Sequence, residues 1–376
     1  MAIVTQSPGK ALTEINPRPG RGLPAPRPDP AVPLAEKVAF LRGMVAGEPD
    51  GEVRETHMSW VFLGAGRVLK LKKPVRYPYL DFSTLAAREE SCRAELRLNR
   101  RLAPDVYLGL RTLTRSADGQ LAIDGGLAGD GGTGPAGEIV DWLVEMRRLP
   151  ESEMLEAAIV EGRITKAQIE AVGRRLADFY AGAERPRLSA RVHLAELRRQ
   201  QAVNRAILTA RDFMLDHGRD ERLLDAVEAA LEAQSGTIAA RVEAGMILEG
   251  HGDLRPEHIC LTDPPVIIDC LEFNRSLRLV DPYDELAFLE LECRRLDAGW
   301  IGPLLVEAVV ARIGGRPPAG LTAFYLAFRA LVRARLTLVH LLEPEPREPA
   351  KWQPLARRYL DIAEAALLSP AAPSAR

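Results

Sequence analysis

The 376-residue sequence is short of several things at once. Aromatic residues make up 5%, the formal net charge is only -2, and four cysteines are scattered at positions 92, 260, 270 and 293 with no C-x-x-C pairing. The near-neutral balance gives no electrostatic case for nucleic acid as main partner. The cysteine spacing suggests neither a zinc site nor a disulfide framework, and it fits a reducing cytoplasm. No apolar run approaches the roughly 18 to 20 residues that cross a bilayer, and Met1–Lys10 lacks the basic-then-apolar order of a signal peptide. A soluble, cytoplasmic protein is expected, with no membrane or nucleic-acid partner. Glycine is plentiful between Gly125 and Gly137, but no G-x-x-x-x-G-K-[ST] loop occurs anywhere, so phosphate gripping of that kind is excluded.

What remains is ordinary globular composition, 47% hydrophobic and 27% charged, in a chain long enough for one large two-lobed domain. Residues 1–33 are rich in Pro, Gly, Arg and Ala and read as a flexible tail. Leu34, Val38, Leu41 and Val45 then fall on one helical face. Trp60–Leu63 and Arg67–Lys72 form two extended runs around Gly64-Ala65-Gly66, a hairpin pattern. Ser83-Thr84 can cap a helix carrying Leu85, Cys92, Glu95, Leu96 and Leu102. After Ala122-Ile123-Asp124, the glycine-heavy run from Gly125 to Gly137 reads as a loose connection. Glu138–Met146 resumes as a strand, ended by Arg147-Arg148-Leu149-Pro150, and could join two lobes.

About a hundred helical residues follow. Thr165-Lys166-Ala167-Gln168 reads as a capping box, with Ile169, Val172, Leu176 and Phe179 as an apolar stripe behind it. Further stripes run through Leu194, Leu197, Ile207 and Phe213, and through Leu223, Val227, Leu231 and Ile238. Helices also begin at Asp281-Pro282 and cover 301–313, 321–342 and 352–368. The order is an α+β one: a small strand-rich lobe over 34–149, a mainly helical lobe over 150–368, and a tail over 369–376.

Embedded in the helical part is His251-Gly252-Asp253-Leu254-Arg255-Pro256-Glu257-His258-Ile259-Cys260-Leu261, then Val266-Ile267-Ile268-Asp269. Apolar runs bounded by Thr262-Asp263-Pro264-Pro265 read as buried strands of a hairpin, from whose ends Asp253 and Asp269 emerge near one another. Two adjacent acids repel unless a positive group intervenes, and a divalent metal carrying a phosphate-bearing substrate is the economical one. Phosphoryl transfer needs a base, metal ligands and a cation on the phosphates. Asp253, Asp269 and Lys70 are the candidates, with Glu95 fixing the lysine. Lys72 rivals Lys70 because strand alternation puts both on one face. Glu272 is either a further oxygen donor or a salt-bridging residue. Arg329 and Arg333, one helical turn apart, either meet an anionic substrate or pair internally.

At these residues the chain resembles the aminoglycoside phosphotransferase and choline kinase type of protein-kinase-like fold. The segments Trp60–Leu110, Glu138–Leu149 and His251–Glu292 are similar to the kinase-like half of bacterial proteins that join such a domain to a P-loop ATPase. The resemblance implies a two-lobed fold and an ATP-dependent phosphotransferase acting on a hydroxyl of a small-molecule acceptor. It also implies magnesium, with manganese as an alternative. By that likeness Lys70 meets ATP, Glu95 is its helical partner, and Val144-Glu145-Met146 is the hinge whose backbone meets adenine. Asp253 is the catalytic-loop acid and Asp269 the metal-binding acid. His258 stands where such proteins usually offer Asn, either as a metal ligand or as a hydrogen-bonding residue of the loop. The alternative function is a catalytically inactive kinase-like module that binds nucleotide or protein.

Overall fold

The computed structural model describes residues 32–77, 80–124, 137–210, 213, 215–342, 346 and 348–368. Both expected tails, save positions 32 and 33, and nearly all of the glycine-heavy run lie outside them. The chain divides into two compact units. A sheet unit comprises residues 32–153 together with Val266–Arg275; a helical unit comprises 154–265 and the chain from Ser276 onward.

The sheet unit opens with helix α1 (Leu34–Val45), followed by strands β1 (Glu52–Glu55), β2 (Ser59–Leu63) and β3 (Arg67–Lys72). The short strands β4 (Arg76–Tyr77) and β5 (Leu80–Asp81) lead to helix α2 (Leu85–Asn99). Strands β6 (Tyr107–Arg115), β7 (Leu121–Asp124) and β8 (Glu138–Arg147) complete an antiparallel sheet of order β1-β2-β3-β8-β6-β7. The turn between β2 and β3 puts Leu63 opposite Val68, closing the expected hairpin. Ahead of the glycine-heavy run, β6 and β7 pair with Thr112 opposite Asp124.

Alternation along β3 divides its side chains between two environments. Leu71 packs with Phe62, Leu143 and the α1 residues Val38, Leu41 and Val45, while Lys70 and Lys72 point the other way. Thr84 caps α2 by accepting from the backbone N–H of Ala87 at 3.1 Å. Both helices are tied to β8 through buried Asp141, whose carboxylate accepts from Lys37 Nζ at 2.7 Å and Arg88 Nε at 2.8 Å.

The helical unit contains α3 (Leu155–Val160), α4 (Lys166–Gly182), α5 (Ala190–Leu208) and α6 (His217–Glu243). After the short strands β9 (Leu248–Glu249) and β10 (Ile259–Cys260) the chain enters the sheet unit at β11 (Val266–Ile267). It returns before β12 (Leu279–Val280). Helices α7 (Pro282–Arg295), α8 (Ile301–Ile313), α9 (Ala319–Val339) and α10 (Pro349–Leu368) follow. Thr165 and Gln168 form the expected capping box on α4. One apolar cluster joins the predicted stripes, with Ile207, Phe213, Leu223, Val227, Leu231 and Ile238 packed against Phe324, Leu331 and Tyr359. No helix among the described residues is long and apolar enough to cross a membrane.

Two boundaries differ from the sequence reading. Residues 150–153 stay with the sheet unit, and so does Val266–Arg275, both of which chain order had assigned to the helical part. The reason lies in the bonds that segment makes.

Candidate active site

Lys70 and Lys72 leave the same face of β3 and meet one carboxylate. Glu95, fully buried on α2, accepts from Lys70 Nζ through Oε1 at 2.8 Å and from Lys72 Nζ through Oε2 at 2.6 Å. Lys70 also donates to Asp269 Oδ1 at 2.9 Å, and Lys72 to Glu272 Oε1 at 2.5 Å. The result is an alternating chain of five charges, Glu272, Lys72, Glu95, Lys70 and Asp269, in which each internal member touches two of opposite sign. Three acids against two lysines leave one surplus negative charge. The ends differ in wetness: the side chains of Asp269 and Lys70 are 44% and 15% exposed, those of Glu272 and Lys72 10% and 1%.

Electrostatics follow from this order. Burial disfavours charge on Lys70, but Asp269, Glu95 and Glu272 together outweigh it and hold its pKa well above the ordinary lysine value. Lys72 is raised in the same way, against burial, by Glu272 and Glu95. For Glu95 burial pushes the pKa up, and the two lysines overcome it and bring it below the ordinary value. Lys73, the third lysine of the cluster, turns elsewhere, to Glu55 and the carbonyl of Thr56.

The segment bearing Asp269 is held by backbone bonds as well. The N–H of Asp269 donates to Tyr107 Oη at 3.1 Å and that of Cys270 to Asn99 Oδ1 at 2.8 Å. Arg101 Nη2 lies 3.2 Å from Cys270 Sγ. Asp269 itself has φ of 60°, the left-handed region that aspartate tolerates better than most residues.

Val144, Glu145 and Met146 are in the middle of the sheet. They pair with Lys70, Leu69 and Val68 on one side and with Leu110, Gly109 and Tyr107 on the other. A hinge that meets adenine needs backbone groups open on one side, and this ladder commits both. The Glu145 side chain is likewise engaged, by Arg67 Nη1 and Arg111 Nε at 2.7 Å each. The chain leaves the sheet only after Arg148, whose N–H donates to the carbonyl of Gly66 at 3.0 Å.

In the helical unit, His251-Gly252-Asp253 is shaped by a residue the sequence reading passed over. Buried Glu285 of α7 accepts from the N–H of His251 at 2.9 Å and of Gly252 at 2.6 Å through Oε1, and from Tyr180 Oη at 2.8 Å through Oε2. Gly250 makes room, since a Cβ there would lie 2.8 Å from both Glu285 oxygens. Gly252 has φ of 87°, which suits glycine. Burial raises the Glu285 pKa, and the three donors only partly offset it. A signal existed: Glu285 lies on the same helical face as Leu289, an acid in a stripe that is otherwise core.

Asp253 Oδ1 lies 3.2 Å from Arg255 Nε, and Arg255 Nη1 reaches Glu257 at 2.8 Å. His258 Nδ1 is 2.8 Å from the Asp253 carbonyl oxygen and its Nε2 is 3.3 Å from Arg255 Nη2. A carbonyl can only accept and a guanidinium only donate, so the proton is on Nδ1 and the Nε2 lone pair faces Arg255. Neither nitrogen is then available to a metal. Among the described residues no three His, Cys, Asp or Glu gather to hold one. The Asp269 carboxylate is the half-exposed oxygen donor of a type suited to magnesium, and Glu272 is turned to Lys72 instead.

Arg329 and Arg333 pair internally. Arg329 grips Asp284 through Nε at 2.7 Å and Nη2 at 2.6 Å, and Arg333 lies 2.8 Å from Glu292 Oε1. All four cysteines are buried.

No family model matches the chain. It is 31% identical over 322 residues, 85% of its length, to the uncharacterized protein Rv2004c of Mycobacterium tuberculosis, and equally to Mb2027c of Mycobacterium bovis. The chain spans 60% of the length of these relatives. Among solved structures it is similar to a choline/ethanolamine kinase family protein from Mesorhizobium loti, with TM-score 0.52 and 14% identity over 89% of this chain and 95% of that one. A spectinomycin phosphotransferase in complex with ADP and spectinomycin gives TM-score 0.48 and 10% identity, over 90% of this chain and 99% of that one. At such identities the first likeness is one of fold, and the chain has the α+β, protein-kinase-like fold of that choline/ethanolamine kinase family protein.

Proposed function

We propose that this chain is an ATP-dependent phosphotransferase of the aminoglycoside phosphotransferase and choline kinase type, acting on a hydroxyl of a small molecule. The observation that carries the reading is the charge chain ending in Lys70 and Asp269. A lysine kept protonated, despite burial, by the acids around it and paired with a half-exposed carboxylate is poised to exchange that carboxylate for phosphate oxygens. The fold of the choline/ethanolamine kinase family protein supports the same reaction class.

In this reading Lys70 holds the nucleotide phosphates and Glu95 fixes Lys70. Asp253 accepts the proton of the acceptor hydroxyl, in a loop held still by Glu285. The Asp269 carboxylate would hold magnesium or manganese, which would supply positive charge beside the transferring phosphoryl group. His258 serves the loop by bonding the Asp253 carbonyl. Adenine contacts are assigned to backbone beyond Arg148 rather than to Val144–Met146.

Phosphate transfer from ATP to a panel of sugars and amino alcohols, with magnesium or manganese, tests this. Asp253→Ala is expected to lower turnover by about 10²- to 10⁴-fold while the thermal shift with ATP is unchanged. Full turnover in that variant removes Asp253 from the mechanism. The second reading, a nucleotide- or protein-binding module without catalysis, is favoured by the engaged ring of His258. A thermal shift with ATP and no transfer to any acceptor would select it.

A further inference from the structure

The second lysine of β3 has no role in the reaction just described, yet it is the drier of the two. Its ammonium lies between Glu95 and Glu272, with the Phe82 ring centroid 5.0 Å away. Glu272 is three residues beyond Asp269 on the same segment, and Ser91 Oγ of α2 stands 3.5 Å from the same Glu272 oxygen. The two lysines therefore make two clasps on one segment. The Lys70–Asp269 clasp is half exposed, and a charged ligand can open it. The Lys72–Glu272 clasp is much drier, with Lys72 buried and the Glu272 side chain 10% exposed, so a phosphate reaches it less readily.

We propose that Lys72 and Glu272 are positioning residues: they keep the 266–275 segment on β3 when Lys70 lets go of Asp269, so that the Asp269 carboxylate stays aimed at an incoming metal–nucleotide complex. The inference rests on the phosphotransferase reading above. Lys70 cannot serve both ends, because its ammonium is required by the phosphates at the moment Asp269 is released. Contacts to Tyr107 and Asn99 fix the backbone of residues 269 and 270, and the Lys72–Glu272 ion pair fixes the chain on the far side of Asp269 by charge. Glu95 couples the clasps, since its two oxygens are divided between them and neither lysine can move without disturbing the other.

The test is manganese binding to the full chain with ADP, read by electron paramagnetic resonance, in Glu272→Gln, Lys72→Arg and Asp269→Asn beside the wild type. Glu272→Gln keeps the shape and an acceptor oxygen, which protects folding, and is expected to weaken manganese affinity by about 10- to 100-fold, as loss of a partner that orients a metal ligand does. Its thermal shift with ADP alone should match the wild type. Lys72→Arg keeps the charge and should retain most of the affinity. A Glu272→Gln protein that melts earlier yet binds manganese as tightly as the wild type overturns the proposal and leaves the pair a structural bridge. A wild type that binds no manganese with ADP, or an Asp269→Asn protein that binds it normally, overturns the phosphotransferase site itself. That failure is distinct, because it appears without any change at Lys72 or Glu272.

Discussion

The segment around Asp269 and the loop around Asp253 are both held in place by a buried glutamate, and by opposite means. In the sheet unit Glu95 is matched by two ammonium groups. In the helical unit Glu285 is matched by two peptide N–H groups and a phenol. A full charge on each side makes a strong contact that another charge can displace. Neutral dipoles offer no such handle, so the contact between Glu285 and the loop backbone gives a phosphate or metal no opposite charge to displace. The first arrangement suits groups that must exchange partners during a reaction, and the second a base that must keep its place.

The largest effect should come from breaking the charged arrangement. Glu95→Ala leaves Lys70 and Lys72 beside one another with one acid fewer, and removal of one member of a buried ion pair costs about 3–5 kcal/mol. Denaturant unfolding measures it, and a loss below about 1 kcal/mol would show that Asp269 and Glu272 suffice. Glu285→Ala should cost less, about 1–3 kcal/mol for each N–H left without an acceptor. Any water that enters in place of the carboxylate lowers that figure.

The pH dependence sharpens the contrast, because the two glutamates shift in opposite directions from the ordinary value of 4.5. For Glu95 the folded pKa is lowered, so its stabilisation is present above 4.5 and is lost as pH falls through the folded value. For Glu285 the folded pKa is raised, so its contribution is present below 4.5 and is lost as pH rises through the folded value. Unfolding free energies relative to the wild type, followed below pH 4.5 for Glu95→Gln and above it for Glu285→Gln, should therefore change with slopes of opposite sign. Parallel slopes would mean that both carboxylates see the same kind of environment.

The two regions were also unequally legible. Strand alternation put Lys70 and Lys72 on one face, and helix spacing offered Glu95, so the charged half of the site could be read from periodicity. Periodicity assigns a face and says nothing of depth, which is why Lys72 stood as a rival to Lys70 rather than as the buried clasp beside it. Glu285 was missed because a glutamate near a helix N-terminus is ordinarily explained by the helix dipole, and its partners are peptide groups that leave no trace in side-chain pattern. The β8 residues 144–146 look like the end of a strand because Arg147-Arg148 follows. The bulged ladder with β6, which continues to Tyr107, depends on a strand separated from them by the glycine-heavy run. Arg329 and Arg333 needed only their helical spacing to be noticed, but Asp284 and Glu292 come from another helix and could not be assigned.

The smallest effect concerns an acid of the helical unit that lacks even the dipoles of Glu285. Asp220, in the first turn of α6, is 2% exposed, and its Oδ2 has no hydrogen-bond partner among the described residues. Burial pushes its pKa up from 3.8 to about 6. The sign is that of Glu285: the contribution is present below 3.8 and is lost as pH rises through about 6. Above that range the wild type carries an ionised carboxylate that the fold solvates poorly. Asp220→Asn removes the ionisation, and with solvent screening allowed for it should gain about 1 kcal/mol on the wild type between pH 4 and pH 8. Unfolding curves at those two pH values decide it. A gain confirms that donors, and not burial alone, separate a tolerated acid such as Glu285 from a costly one. A difference that does not change with pH would mean that Asp220 is already solvated, and the comparison would then rest on Glu95 and Glu285 alone.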